Sequence, residues 1–125
     1  MTTSEIFTSL GIGVLAGIVA ALCGVGGGVV MVPAFVLLLG LAQKNAVATS
    51  LAVIIPTALV ATMQNAKNGL LAGQWKIIAF TAITSTLMAW FGAGLLTTMR
   101  NETLTRIFGF VLVVFGTRML WQGKA

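Results

Sequence analysis

Gly24-Val25-Gly26-Gly27-Gly28 (GVGGG) sits near the middle of a stretch of 38 residues, between Glu5 and Lys44, that carries no charge. A straight helix of that length would measure roughly 57 Å at ~1.5 Å per residue, about twice the ~30 Å hydrocarbon core of a bilayer. The segment therefore has to bend. Glycine is the residue that least supports a helix and most readily adopts other backbone conformations, which places the bend at GVGGG, between two apolar arms. Backbone freed from helical pairing is tolerated at membrane depth only where protein or a water-filled cavity satisfies it. A broken apolar helix thus reads as part of a transporter's substrate site.

The rest of the chain agrees with a membrane setting. Of 125 residues, 58% are hydrophobic and 7% charged, and the mean hydropathy is +1.08, values foreign to a water-soluble domain. Further apolar runs occupy 45–66, 77–99 and 107–121, the last containing Arg118 near its end. The first two each suit one crossing of ~20 residues. The third suits one if it begins near Thr103 and Arg118 extends its head to the interface. The expected fold is all-α: a polytopic transmembrane helical bundle whose first unit is glycine-broken, either discontinuous or re-entrant, with residues 1–125 as a single transmembrane domain and no room for a soluble one.

Charge bears on orientation and partners. The N-terminal residues MTTSE are acidic where a signal peptide would be basic, so the first apolar arm is read as retained. The net charge of +5 is spread singly over loops and helix ends, which points to membrane flanks rather than nucleic acid. If the first run is a hairpin, Lys44, Arg100 and Arg106 share one side, with Lys67, Lys76, Arg118 and Lys124 on the other. This near balance permits insertion in both orientations. A single bent crossing keeps the same two groups but changes the parity of the chain.

Specific residues carry a resemblance. The stretch Cys23 to Gly69 contains GxGGGxxxxP from Gly24 to Pro33, the segment Ala48-Thr49-Ser50-Leu51, and an Asn68-Gly69 turn before Gln74-Trp75. In this order and spacing they resemble the repeat unit of the TauE/SafE family, also called the sulfite exporter or TSUP family, over roughly positions 6 to 121. Members resembling this family carry two such repeats and this chain has one, so the resemblance implies a half-size member that works as a homodimer, with its second repeat supplied by another copy. It also implies transport of small anions such as sulfite, thiosulfate or organosulfonates across a prokaryotic plasma (inner) membrane. Where relatives often have an Asp before the Trp, this chain reads Ala72-Gly73-Gln74-Trp75, without a carboxylate.

The chemistry of the residues also favours an anion. A helix restarting after a break presents unpaired N–H groups and the positive end of its dipole. Gly26, Gly27 and Gly28 offer such groups with no side chain in the way, a nest for an oxyanion; the alternative is that they let helices pack closely. Thr49 and Ser50 either donate hydroxyls to substrate or bond back to their own helix. Asn65 belongs to a polar cluster with Gln64, Lys67 and Asn68 that reads either as a cavity mouth, where Lys67 draws in anions, or as a solvated loop. Gly24 marks the break, Pro33 the start of the second arm, and Pro56 a kink or hinge. Trp75 and Trp121 read as interfacial belt residues and Trp90 as packed at a helix interface, whereas Cys23 reads as a packing residue.

What is missing narrows the function further. The chain has no histidine, and its only carboxylates are Glu5 and Glu102, both predicted near a boundary. From this inventory no metal cluster or hydrolytic triad can be assembled, so an enzyme is not expected, nor is a cofactor or metal. A cation exporter would need an acidic residue inside the membrane. A secondary transporter or facilitator for small anions is the leading reading, with a non-transporting assembly subunit or an anion channel as alternatives. The expected partners are the anion, the lipid bilayer and a second copy. The hairpin form of the first run and the balanced charge favour an antiparallel dimer, and a parallel one stays open.

Overall fold

The structure, a computed structural model, describes residues 1–123. Lys124, assigned above to one end of the molecule, lies outside the described residues. Five helices follow in order: α1 Thr3–Cys23, α2 Gly28–Leu39, α3 Gln43–Lys67, α4 Trp75–Thr98 and α5 Asn101–Gln122. Four are long and apolar enough to cross a membrane, and α2 is the shorter apolar exception.

Local chemistry explains the boundaries. The acidic N-terminal sequence acts as a helix start: Thr2 Oγ1 accepts from the Glu5 N–H while the Thr2 N–H donates to Glu5 Oε2 at 2.9 Å, a reciprocal capping box. Gly24 ends α1 in the left-handed conformation, with its N–H donating to Ala20 O at 2.9 Å. Gly27, also left-handed, opens α2. The first apolar run is thus two helices separated by a glycine break. Pro33 does not mark the start of the second arm; it lies inside α2, a turn beyond the position where proline is free, and Gly27 occupies the cap. Pro56 likewise sits inside α3, whose helix runs on through it to Lys67.

The hairpin and bent-crossing readings of the first run are resolved by where α2 goes. Gly27 lies against the carbonyl of Ala16, and Phe35 and Leu39 share a groove with Ile12, Ser9 and Glu5. So α2 runs back along α1 towards the end from which α1 began. At 12 residues it is about 18 Å long, too short to span, and it is re-entrant. α3 then turns again, with Ser50 and Ile54 passing Gly28 and Gly26. The core forms where these three helices meet, from Ile12, Ala16, Met31, Val32, Phe35 and Ala46, with Phe108 of α5 packed on its edge.

Depth follows from counting along the helices. From the shared end, Ala16 is about 20 Å along α1, while Ser50 and Ile54 are about 10 and 16 Å along α3. The glycine-marked start of α2 therefore lies near the middle of a ~30 Å slab.

The α4–α5 turn comes back to the start of α3. The Lys44 ammonium donates to Thr97 O at 3.1 Å, and the Lys44 N–H donates to Asn101 Oδ1 at 3.3 Å. This places Lys44 and Arg100 at the same end, as both readings of the first run require. The cation also sits on the last carbonyls of α4, where a positive charge complements the helix dipole. Lys44→Met should cost about 0.3–1 kcal/mol, read as a small drop in melting temperature that high salt reduces.

Neither α4 nor α5 has a buried residue. Trp90 in particular is 82% exposed, so it does not pack at a helix interface within this chain. The accessible surface is 9533 Å², against about 6,300 Å² for a compact monomer of this mass. Lipid or protein must cover the excess.

Candidate functional site

Around the glycine break the backbone is short of partners. The N–H groups of Val25, Gly26, Gly27, Gly28 and Val29 find no acceptor at hydrogen-bonding geometry among the described residues; the first paired donors are Val30 and Met31, both to Gly27 O. Gly26 and Gly27 adopt φ of 70° and 78°, the left-handed region that glycine enters at no steric cost. Unpaired donors in an apolar slab are costly unless a ligand or water meets them.

Beside this loop lies a cleft of about 160 Å³ lined by Ala20, Gly24, Gly26, Thr57, Thr62 and Asn65, with small alanines filling the rest of its wall. The space is many times what one water needs, so the cleft can admit a small hydrated ion. The half-buried Asn65 turns onto this cleft, and its side-chain amide has no hydrogen-bond partner among the described residues. The Thr57 hydroxyl donates to Val53 O at 2.9 Å and keeps its lone pairs. The lining carries no charged side chain.

The sequence candidates divide into distinct places. Gly24, Gly26 and Asn65 come together on the cleft. Gly28 opens α2 behind them and faces Ile54 and Ser50. Ser50 is 2% exposed, and its hydroxyl donates to Val47 O at 2.9 Å, so of its two readings the geometry gives the bond back to its own helix. Thr49 is exposed and lines a different groove, with Met1, Glu5 and Leu41. The α3 residues of the cleft begin at Thr57, about 12 Å further along the helix, which separates Thr49 from the cleft. Pro56 lines an outer groove with Gln64, and Lys67 and Asn68 are exposed.

Gly27 has a structural role whatever it binds. A Cβ there would stand 3.0 Å from Ala16 O and 3.2 Å from Met31 Cε. The close-packing reading of the glycines applies to this one. Thr57 and Thr62 were missed from the sequence, although Thr57, Ala61 and Asn65 recur at intervals of four and so share a helix face. Cys23, next to the break, is exposed rather than packed.

The larger groove, about 460 Å³, is a poor anion site because its walls are mostly apolar and it includes the Glu5 carboxylate. The smaller cleft runs from the glycine break towards the end of the molecule where α3 finishes, and its lining is neutral and partly polar without a carboxylate, an arrangement suited to a small anion.

Comparison with known proteins supplies the class. The family described as "Sulfite exporter TauE/SafE" matches residues 9–125. The chain belongs to the TauE/SafE family. It is 31% identical over 121 residues to the probable membrane transporter protein YunE of Bacillus subtilis, covering 92% of this chain and 42% of that protein. A probable membrane transporter protein of Xylella fastidiosa is 28% identical over all of this chain and 47% of its own, and one of Haemophilus influenzae is 30% identical over 90% and 45%. The chain thus spans less than half the length of these relatives. No solved structure matches it. With four helices able to span a bilayer, this TauE/SafE chain is a multi-pass membrane protein of a transporter family.

Proposed function

We propose that this chain is a half-transporter that moves small anions, such as sulfite, thiosulfate or organosulfonates, across a prokaryotic plasma membrane and works as a homodimer. Membership of the TauE/SafE family supports transport. The observation that carries the anion reading is the glycine break near mid-depth, with its unpaired backbone N–H groups, opening through Gly26 onto a cleft that holds the Asn65 amide and no carboxylate. Such donors are fixed by the fold and need no counter-charge to be buried with them. Discontinuous helices that present their ends to substrate near the midplane are a recurring device of secondary transporters. Gly26, Gly27 and Gly28 supply backbone donors, and Asn65 supplies an adjustable one. Ser50 packs beside the start of α2, its hydroxyl bonded back to its own helix. Thr49 serves the path only if a partner helix closes over the outer groove.

A ligand that binds only the native state stabilises it by about 2.7 kcal/mol at a hundred times its Kd. Detergent-purified protein is therefore expected to melt several degrees higher in one or a few of sulfite, thiosulfate, sulfoacetate, other sulfonates and short carboxylates than in matched chloride. The same anion should show saturable flux in proteoliposomes. Flux without saturation would favour a channel. Neither a shift nor flux across the panel would reject anion transport and leave an assembly subunit.

A further inference from the structure

We infer that the Met31 side chain is the barrier between two half-paths, one opening to each face of the membrane, and that its movement passes the anion from one to the other. The inference rests on the transport reading above and adds to it the residue that keeps the two faces apart.

The two half-paths lie along one valley. α1 and α3 both run away from the shared end, and α2 re-enters beside them and reaches only to mid-depth. The groove of about 460 Å³ descends from the shared end, where Glu5 begins α1 and Leu39 ends α2, as far as Gly13, Met31 and Val53. The cleft of about 160 Å³ comes in from the opposite end, from Thr62 and Asn65 to Thr57 and Gly26. On α3 the groove stops at Val53 and the cleft starts at Thr57, one turn or about 6 Å further on. On α1 the matching gap runs from Gly13 to Ala20, about 10 Å. Within a ~30 Å slab only a thin septum separates them.

The buried stripe of α1 shows what fills the septum. Ile12 borders the groove and Ala20 the cleft, whereas Ala16, between them, borders neither. Ala16 is covered instead by the glycine break and the tip of Met31: a Cβ on Gly27 would lie 3.0 Å from Ala16 O and 3.2 Å from Met31 Cε. Met31 is 2% exposed. It lines the groove, yet its Cε lies at the break, where the neighbouring Gly26 opens onto the cleft.

The residue types suit a barrier that moves. Methionine is unbranched and flexible, and it adapts to irregular space, so rotation of its side chain clears the septum while α2 stays docked. Ala16 and Gly27 contribute backbone and no side chain that can swing. Ile54, which lies against Gly26 and Gly28, is β-branched and stiff at χ1. The thioether carries no charge and is only a weak acceptor, so it closes the path without binding the ion. Gly27 gains a second role here, because any side chain there would take the space of Met31 Cε. The apolar groove then serves as a route and not as a binding site, once the second copy closes its open side.

Thiol labelling tests this in a Cys23→Ser background, with sealed vesicles treated with an impermeant anionic methanethiosulfonate and the protein weighed intact by mass spectrometry. Asn68→Cys, exposed just beyond α3, reports which end of each molecule faces outward, so insertion in both orientations does not blur the result. Chains with Val53→Cys and Asn68→Cys should take one label each and never two, because the thiols face opposite sides. Chains with Thr57→Cys and Asn68→Cys should take two or none. Adding Met31→Ala to the Val53→Cys, Asn68→Cys chain joins the half-paths, and doubly labelled protein should appear. Met31→Leu, which conserves volume, should leave single labels. Met31→Val is the milder truncation if Met31→Ala does not yield monodisperse protein. Double labelling with Met31 intact, or a Val53→Cys that no side can label, would overturn the two half-paths. A folded Met31→Ala or Met31→Val that still takes one label would overturn Met31 as the barrier. Flux of sulfite and thiosulfate through the Cys23→Ser parent separates these failures from failure of the transport reading: saturable flux beside either result leaves that reading standing, and no flux removes both.

Discussion

Gly27→Ala should destabilise the protein by about 2–4 kcal/mol, while Gly28→Ala, one residue on, should be neutral or slightly stabilising. The contrast comes from two differences in the structure. Gly27 has φ +78°, where an L side chain is strained, and its Cβ would press to 3.0 Å on the Ala16 carbonyl, a backbone atom of α1 that cannot swing aside. Gly28 has an ordinary helical φ, and its Cβ would meet only side-chain atoms, Ile54 Cδ1 at 3.4 Å and Ser50 Oγ at 4.0 Å. Exchanging glycine for alanine in a compatible conformation restricts the unfolded chain and contributes about 0.4–1 kcal/mol of stability. The measurement is the monodisperse fraction of detergent-purified protein after heating. Gly27→Ala is expected to lose it many degrees below the parent, with Gly28→Ala melting at or above it. Equal tolerance at both positions would show that α2 does not dock on α1 at this point. Loss of transport in a Gly27 variant therefore cannot by itself implicate the glycine in anion binding.

The same residues show how far the sequence could be read. Uncharged runs and glycine placement give the helices and the break because both effects are local: burial in lipid needs about 20 apolar residues, and only glycine adopts the left-handed conformation cheaply. The direction of α2 is not local. It depends on Ala16 lying against Gly27, eleven residues away, and no pattern within the segment encodes that approach. Thr49 and Ser50 show a similar limit. Both are hydroxyl residues in one motif, yet the helical rotation between them sends one to an outer groove and buries the other against Val47. In the sequence Asn65 reads either as part of a cavity mouth or as part of a solvated loop, because its neighbours Lys67 and Asn68 suit both. Its place on the cleft with Gly24 and Gly26 appears only when α3 is laid beside the break. Trp90 failed in the opposite direction, since an interior apolar position need not be buried by its own chain.

Asn65→Asp should abolish anion binding while leaving the fold intact. The substitution is nearly isosteric and replaces an amide that can donate with a carboxylate that only accepts. It also sets a negative charge on the cleft where the anion would sit. Two like charges about 4 Å apart repel by about 4 kcal/mol at an effective dielectric of 20, a loss of two to three decades in affinity. The carboxylate can itself accept from the unpaired N–H groups near Gly26, so the variant should melt no lower than the parent, with its melting temperature no longer responding to the anions that stabilise the parent. Asn68→Asp is the matched control: it adds the same charge three residues further on, at an exposed position outside the cleft, where solvent screening reduces the effect to a small fraction. Thr62→Val should fall between them, weakening binding by about 0.5–1.5 kcal/mol if its hydroxyl meets the anion. Equal losses for Asn65→Asp and Asn68→Asp would mean that charge near the mouth acts through the field alone. No loss for either would remove the cleft from the transport path, and the unpaired donors of the glycine break would then be met by water.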